Sequence, residues 1–326
     1  MRDTILGALL PMVVTFLLGF VAAWRRDFGP KDAAILNRMV LLYAVPVMLF
    51  AGMVSTPRAE LGQDIPLLIA LGAAIVGLYG VVLLLSRFAF RQRLSTSALA
   101  ALTASAPAVP FSAVLGYLFG GPSAIPIAIA SLVINLTVLP VTILLLTLDT
   151  AGEDSQGKSP ATDGEQSASP PASHGSVLAA KLAETVKEPI VWVPVLAFVI
   201  VLSGASIPQL IVHSLSALGH ASGGVALFAS GIVLASGTIK VNAYVLLLVF
   251  LKNIVQPALV LGGLRWLDYG SPIVSKAVLT TAIPAMPMVI MFAVQYRAAE
   301  AEVASAVFLS DIGSVITMGA FIALTS

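Results

Sequence analysis

Short polar or Gly/Pro-rich breaks divide this chain into about ten apolar stretches of about 20 residues each, the length a helix needs to cross a hydrocarbon core of about 30 Å. They lie near 5–24, 33–55, 65–88, 96–118, 123–148, 189–205, 220–237, 242–266, 273–296 and 301–324. Within hydrocarbon a backbone must satisfy its own polar groups, so the expected fold class is an all-α membrane protein. Composition excludes the alternative. With 326 residues, 58% of them apolar and 10% charged, and a mean hydropathy of +1.00, there is too little polar surface for a soluble globule of this size. The first stretch, Ile5 to Trp24, is long enough to span and lacks a small-residue cleavage site before Trp24-Arg25-Arg26, so it is expected to remain in the mature protein.

Two of these stretches break in the same way. Leu102-Thr103-Ala104-Ser105-Ala106-Pro107-Ala108-Val109-Pro110 is echoed by Leu279-Thr280-Thr281-Ala282-Ile283-Pro284-Ala285-Met286-Pro287. A proline has no N–H, and its ring collides with the carbonyl four residues back. Pro107 and Pro110 therefore free the carbonyls of Thr103 and Ala106, and Pro284 and Pro287 those of Thr280 and Ile283. The residue before each proline is pushed toward an extended conformation. Interrupted helices at matching places in two halves of a membrane chain point to the binding site of a secondary transporter. Two unrelated proline kinks would look similar singly, but not with the same spacing and the same Leu-Thr lead-in.

The long polar interval 149–176 is rich in Gly, Ser, Pro, Asp and Glu and has nothing to bury, so it reads as a disordered linker. Residues 177–187 place Leu178, Leu182 and Val186 opposite charged positions, which predicts an interfacial helix. Three units follow: a first five-helix repeat over 1–148, the linker over 149–176, and the interfacial helix with a second five-helix repeat over 177–326. An odd number of spans per half makes this a 5+5 inverted repeat, and a shift of 177 residues lays Pro107, Ala108 and Pro110 on Pro284, Ala285 and Pro287. Loops after odd-numbered spans carry Arg25, Arg26, Lys31, Arg87, Arg91, Arg93, Lys240 and Arg297. The other loops and the amino end carry only Arg2, Arg58, Arg265 and Lys276. This bias puts both termini outside and the linker in the cytoplasm.

Several runs carry a family likeness. Leu36-Asn37-Arg38-Met39-Val40-Leu41-Leu42-Tyr43-Ala44-Val45-Pro46-Val47-Met48-Leu49-Phe50 resembles the second span of the auxin efflux carrier family. The Ala106-Pro107 break with Leu118-Phe119-Gly120, Lys187-Glu188-Pro189-Ile190, Leu251-Lys252-Asn253 with Pro257, and Ala304-Ser305-Ala306-Val307-Phe308-Leu309-Ser310 are similar to that family too. The resemblance implies ten transmembrane helices whose fourth and ninth members, both broken, cross at mid-membrane, as in bile acid symporters and sodium/proton antiporters. It implies a multi-pass protein of the cell inner membrane that moves small carboxylates such as malonate in the bacterial branch, or auxin in the plant branch. Relatives often carry asparagine beside the break prolines, where this chain has Ala108 and Ala285, a form closer to the malonate-type branch.

The expected substrate site is the crossover, with Pro107, Ala108, Val109, Pro110 and Ser112 on one wall and Pro284, Ala285, Met286 and Pro287 on the other. New half-helices begin there, with unpaired N–H groups expected near Phe111, Ser112 and Ala113 and near Met288, Val289 and Ile290, where an anion is favoured. Two charges, Asp311 and Lys252, fall about ten residues inside spans, where each costs about 2.5–3.5 kcal/mol if unpaired. Asp311 reads either as a carboxylate that loads and releases a coupling proton or as an offset to helix amino ends. Lys252 reads as an ion-coupling group or an offset to the carbonyl ends, and the two could also pair. Asn135 stands opposite Ile312 in the repeat, beside Asp311, and is a candidate polar mate or a helix-to-helix amide contact. Tyr43, with Pro46, is a minor pocket candidate or an interfacial tyrosine.

No metal site is expected, because His174, His213 and His220 have no nearby ligand clusters and the chain has no cysteine. No cofactor is expected beyond a coupling proton or sodium ion. Partners reduce to a small organic anion and the lipid bilayer, with a homodimer left open; the net charge of +1 argues against nucleic acid. No nucleophile-base pair or nucleotide-binding motif supports an enzyme or an ATP-driven pump. A secondary active transporter working by alternating access is the leading expectation. The alternatives are a membrane-embedded ligand sensor signalling through 149–176 and a sodium-coupled carrier of bile-acid-like or auxin-like acids.

Overall fold

The computed structural model describes residues 14–54, 65–108, 125–156, 189–205, 207–236 and 240–325. The described part is helical. In chain order α1 is Val14–Trp24, and α2 joins Pro30–Met39 through a π-turn, Val40–Ala44, to Val45–Val54. Next come α3 (Ile65–Ala89) and α4 (Leu94–Ser105). Helix α5 runs over Ile125–Val133, a π-turn Ile134–Val138, and Leu139–Gln156. Then follow α6 (Pro189–Ser203), α7 (Gln209–Ser236) and α8 (Ala243–Trp266), which holds a π-turn at Leu251–Val255. The last three are α9 (Ser271–Thr281), α10 (Met288–Gln295) and α11 (Glu300–Thr325). Among the described residues five helices, α3, α5, α7, α8 and α11, are long and apolar enough to cross a membrane.

Local signals account for the helix starts. Asn242 caps α8 by accepting the Val245 N–H at 2.8 Å. Gly29 opens α2 with Pro30 at the first helical position, and its N–H donates to the Asp32 carboxylate. Two boundaries differ from the sequence expectation. Helix α7 begins at Gln209 rather than near 220, so His213 and His220 lie within a helix instead of in a connection. Helix α5 continues to Gln156, past the expected linker start at 149; Asp149 there accepts from the Ser95 N–H and pairs with Arg93, fastening the end of α5 to the start of α4. The rest of the linker and the expected interfacial helix, 177–187, lie outside the described residues.

The helices pack in two groups. Helix α7 lies along α2, which also carries α6. In the second group α3 packs on α4 and α5, while α8 and α9 pack on α11. Helix α1 joins the first group at one close point: a Cβ on Gly19 would run into the Phe228 carbonyl, and one on Gly231 into the Phe16 carbonyl. Small residues at a crossing let membrane helices touch backbone to backbone, where dispersion and packing supply the attraction that water would otherwise drive. The groups meet where α7 packs on α10 and α11, and there the Phe16 ring of α1 stacks on Phe308 of α11, 5.0 Å between centroids. Helices α3 and α8 end alike, since Arg91 and Asp268, which lie 177 residues apart, both adopt positive φ, 51° and 57°.

The Gly19 crossing is testable. Gly19→Val should lower the melting temperature of the detergent-solubilised protein, with an overpacking cost of about 1–3 kcal/mol, read by size-exclusion after heating. Gly77→Ala, in open space on α3, should leave it unchanged; equal effects would show that the α1–α7 contact is not tight.

Candidate functional site

Pro107 ends α4. Ala106 takes an extended conformation, φ −88° and ψ 120°, as the residue before a proline must, and α9 stops at Thr281 ahead of Pro284. The two freed segments cross. The Ala108 N–H donates to the Pro284 carbonyl at 3.0 Å, and the Met286 N–H to the Ala106 carbonyl at 3.1 Å. Pro107 thus stands opposite Ala285 in one antiparallel rung. The Ala106 carbonyl, which position 110 cannot serve because it is proline, is served by the other break. The 177-residue shift turns the pair Pro107 and Ala285 into Pro284 and Ala108, so the rung maps onto itself. Ala106, Ala108, Ile283 and Ala285 are fully buried and Met286 nearly so; methyl side chains at 108 and 285 let the strands meet.

A fully buried lysine serves the carbonyl ends. Lys252 Nζ donates to the Thr281 carbonyl at 3.1 Å and to Gln256 Oε1 at 2.7 Å, while Gln256 Nε2 donates to the Ser105 carbonyl at 2.9 Å. The final carbonyls of both broken helices are therefore joined through one ammonium and one amide. Each helix carbonyl end carries about half a negative charge, so two such ends match one lysine. The π-turn Leu251–Val255 makes this possible by bringing Lys252 and Asn253 to the buried side together, with Gln256 one turn on. Asn253 accepts the Ser310 hydroxyl at 2.6 Å and donates to the Ser310 carbonyl at 2.8 Å. The Ala285 N–H in turn donates to Ser310 Oγ at 2.9 Å. Gly313 permits this approach, since a Cβ there would press on Asn253 Nδ2 at 3.1 Å.

Several sequence expectations are altered. Lys252 and Asp311 do not pair: the ammonium donates to Gln256 and Thr281, and Asp311 Oδ1 has no hydrogen-bond partner. Two of the N–H groups expected free at the start of α10 are taken: Val289 donates to Met286 and Ile290 to Pro287, in tight i to i−3 turns. Tyr43 is 63% exposed; the π-turn Val40–Ala44 turns Val40 and Ala44 inward and leaves the ring outside the buried crossover. Asn135 is buried in the π-turn Ile134–Val138, which packs on α3 and α6. Asp311 is buried on α11, and its Oδ1 has no hydrogen-bond partner. Val109, Pro110 and Ser112 lie outside the described residues. Sequence reasoning overlooked Gln256, whose place four residues after Lys252 on the same helix face was a usable signal, and also Asn253 and Ser310, both inside runs that carried the family likeness.

Comparison with known proteins assigns the family. A family model described as membrane transport protein matches residues 4–322. The chain is 30% identical over 317 residues to an uncharacterized transporter, YfdV, of Escherichia coli K12, covering 96% of this chain and 95% of that protein. The YfdV proteins of Escherichia coli O157:H7 and Shigella flexneri match to the same extent. The chain belongs to the membrane transport protein family. The likeness to auxin efflux carriers is borne out over nearly the whole chain. The protein is a multi-pass membrane protein of transporter kind.

If Lys252 and Gln256 hold both carbonyl ends, Gln256→Leu should strand the Ser105 carbonyl and cost about 1–3 kcal/mol. Lys252→Met, which strands Thr281 and Gln256, should cost more. Thermal unfolding in detergent checks both, and a double variant no worse than Lys252→Met alone would show that the two residues act as one unit.

Proposed function

We propose that this protein is a secondary carrier for small organic anions of the malonate type, working by alternating access across the cell inner membrane with its central linker in the cytoplasm. The observation that carries the reading is the antiparallel rung between Pro107 and Ala285. The rung brings the carbonyl ends of α4 and α9 and the amino end of α10 to one buried point, an arrangement that suits a binding site. The two groups of helices, which meet along α7, α10 and α11 and at Phe16 and Phe308, are the bodies that would shift against each other. With Ala108 and Ala285 at the rung, recognition of the anion falls to backbone groups that the crossover exposes when it opens, and Lys252 keeps the carbonyl ends from repelling it. Lacking a nucleotide motif, the protein draws on the gradient of substrate or of a coupling ion.

Purified protein in liposomes preloaded with unlabelled malonate should take up labelled malonate saturably and faster than empty-lumen controls. Ala285→Leu, which wedges the rung apart, should bring uptake to the protein-free level. Saturable binding without counterflow would overturn the carrier in favour of a ligand sensor, while counterflow of auxin-like or bile-acid-like acids but not malonate would correct the substrate class.

A further inference from the structure

Asp311 stands one residue from the serine that holds the crossover, yet among the described residues no side chain hydrogen-bonds its Oδ1. Its side chain is 5% exposed and its Oδ1 is buried without a donor. Its neighbours one turn away on α11 are Val307, Phe308, Ser314 and Val315. The only hydroxyl among them, on Ser314, donates to the Asp311 backbone carbonyl at 2.7 Å, not to the carboxyl.

The elements packed on α11 bring few charges. Helices α1, α4 and α10 carry no titratable residue among the described ones, and α7 contributes only His213 and His220. Helix α9 carries Lys276, and α8 carries Tyr244, Lys252 and Arg265. Lys252 is committed to Gln256 and Thr281, Tyr244 to Ser86, and Arg265 to the Leu324 carbonyl. Glu300 and Glu302 are at the start of α11 itself. Among the described residues none of these forms an ion pair with Asp311.

We infer that Asp311 is a proton-binding site: its carboxyl is the neutral acid while the crossover is buried, and it returns the proton to water when that face of α11 opens. A buried carboxylate must be paired or hydrogen-bonded, whereas the acid is neutral and tolerates apolar neighbours. A sodium ion is a poorer occupant, because a hard cation needs several oxygen ligands and one turn to either side on α11 only the Ser314 hydroxyl stands near this carboxyl. The proton comes from water on one side and leaves to water on the other, so no further reactant is involved. The adjacent Ser310, which accepts the Ala285 N–H, ties the state of Asp311 to the second broken helix.

Proton binding is tested without any substrate; coupling alone rests on the carrier reading. Infrared difference spectra of the purified protein between neutral and alkaline pH should show a protonated-carboxyl C=O band that is missing in Asp311→Asn and retained in Asp311→Glu. Identical spectra for wild type and Asp311→Asn overturn the site. In liposomes an acid-outside gradient should raise malonate accumulation by about tenfold per pH unit for one proton per substrate, with no response to sodium. Asp311→Asn should remove that response; a sodium-driven wild type, or a variant still driven by pH, overturns the coupling. Absence of any malonate flux in wild type counts against the carrier reading, and the infrared result still decides the proton site.

Discussion

The arrangement depends on one requirement, that polypeptide broken inside a low-dielectric layer must still satisfy its peptide groups. Two helices that stop at Ser105 and Thr281 leave carbonyl ends where water is scarce. Each break lends the other a partner through Ala106 and Pro284, and the Gln256–Lys252 pair takes the final carbonyls. The fully buried ammonium is tolerable because two converging helix ends supply about the charge it lacks. Removing either half of this balance would leave an uncompensated charge or an orphaned carbonyl.

Around that core each local device has a consequence for position. The π-turn in α8 places three polar side chains on one buried face, and Gly313 lets α11 come close enough for Asn253 and Ser310 to interlock. Gly19 and Gly231 fix α1 against α7, so that Phe16 can reach Phe308 across the boundary between helix groups. A regular α8 would not turn Lys252 and Asn253 to the same side, since consecutive residues on an α-helix point about 100° apart.

Much of this was legible in the sequence. Proline chemistry marked both breaks, the 177-residue shift paired them, and apolar run length marked the helical, membrane-spanning character. What could not be read was partner choice. The periodicity that locates α8 says nothing of a π-turn, so Asn253 and Lys252 could not both be assigned inward, and Tyr43 could not be assigned outward. Caps and tight turns at Val289 and Ile290 consume N–H groups that proline rules alone leave free. Helix α7 began earlier than expected because Gln209 to Gly219 mixes polar and apolar residues, which hides a helix from a hydropathy reading without breaking it.

The same shift that pairs the breaks sets Lys252, Asn253 and Gln256 against Ile75, Val76 and Tyr79, and Ser310 and Asp311 against Val133 and Ile134. The two copies share a shape and have divided the chemistry unequally: one kept only the geometry, and the other took every charge and nearly every amide about the crossing. Halves related by a two-fold axis and alike in sequence would offer the crossing the same side chains from both sides. Here Lys252, Asn253, Gln256, Ser310 and Asp311 all come from the second half of the chain, so a substitution at any of them has no counterpart at the matching position of the first half.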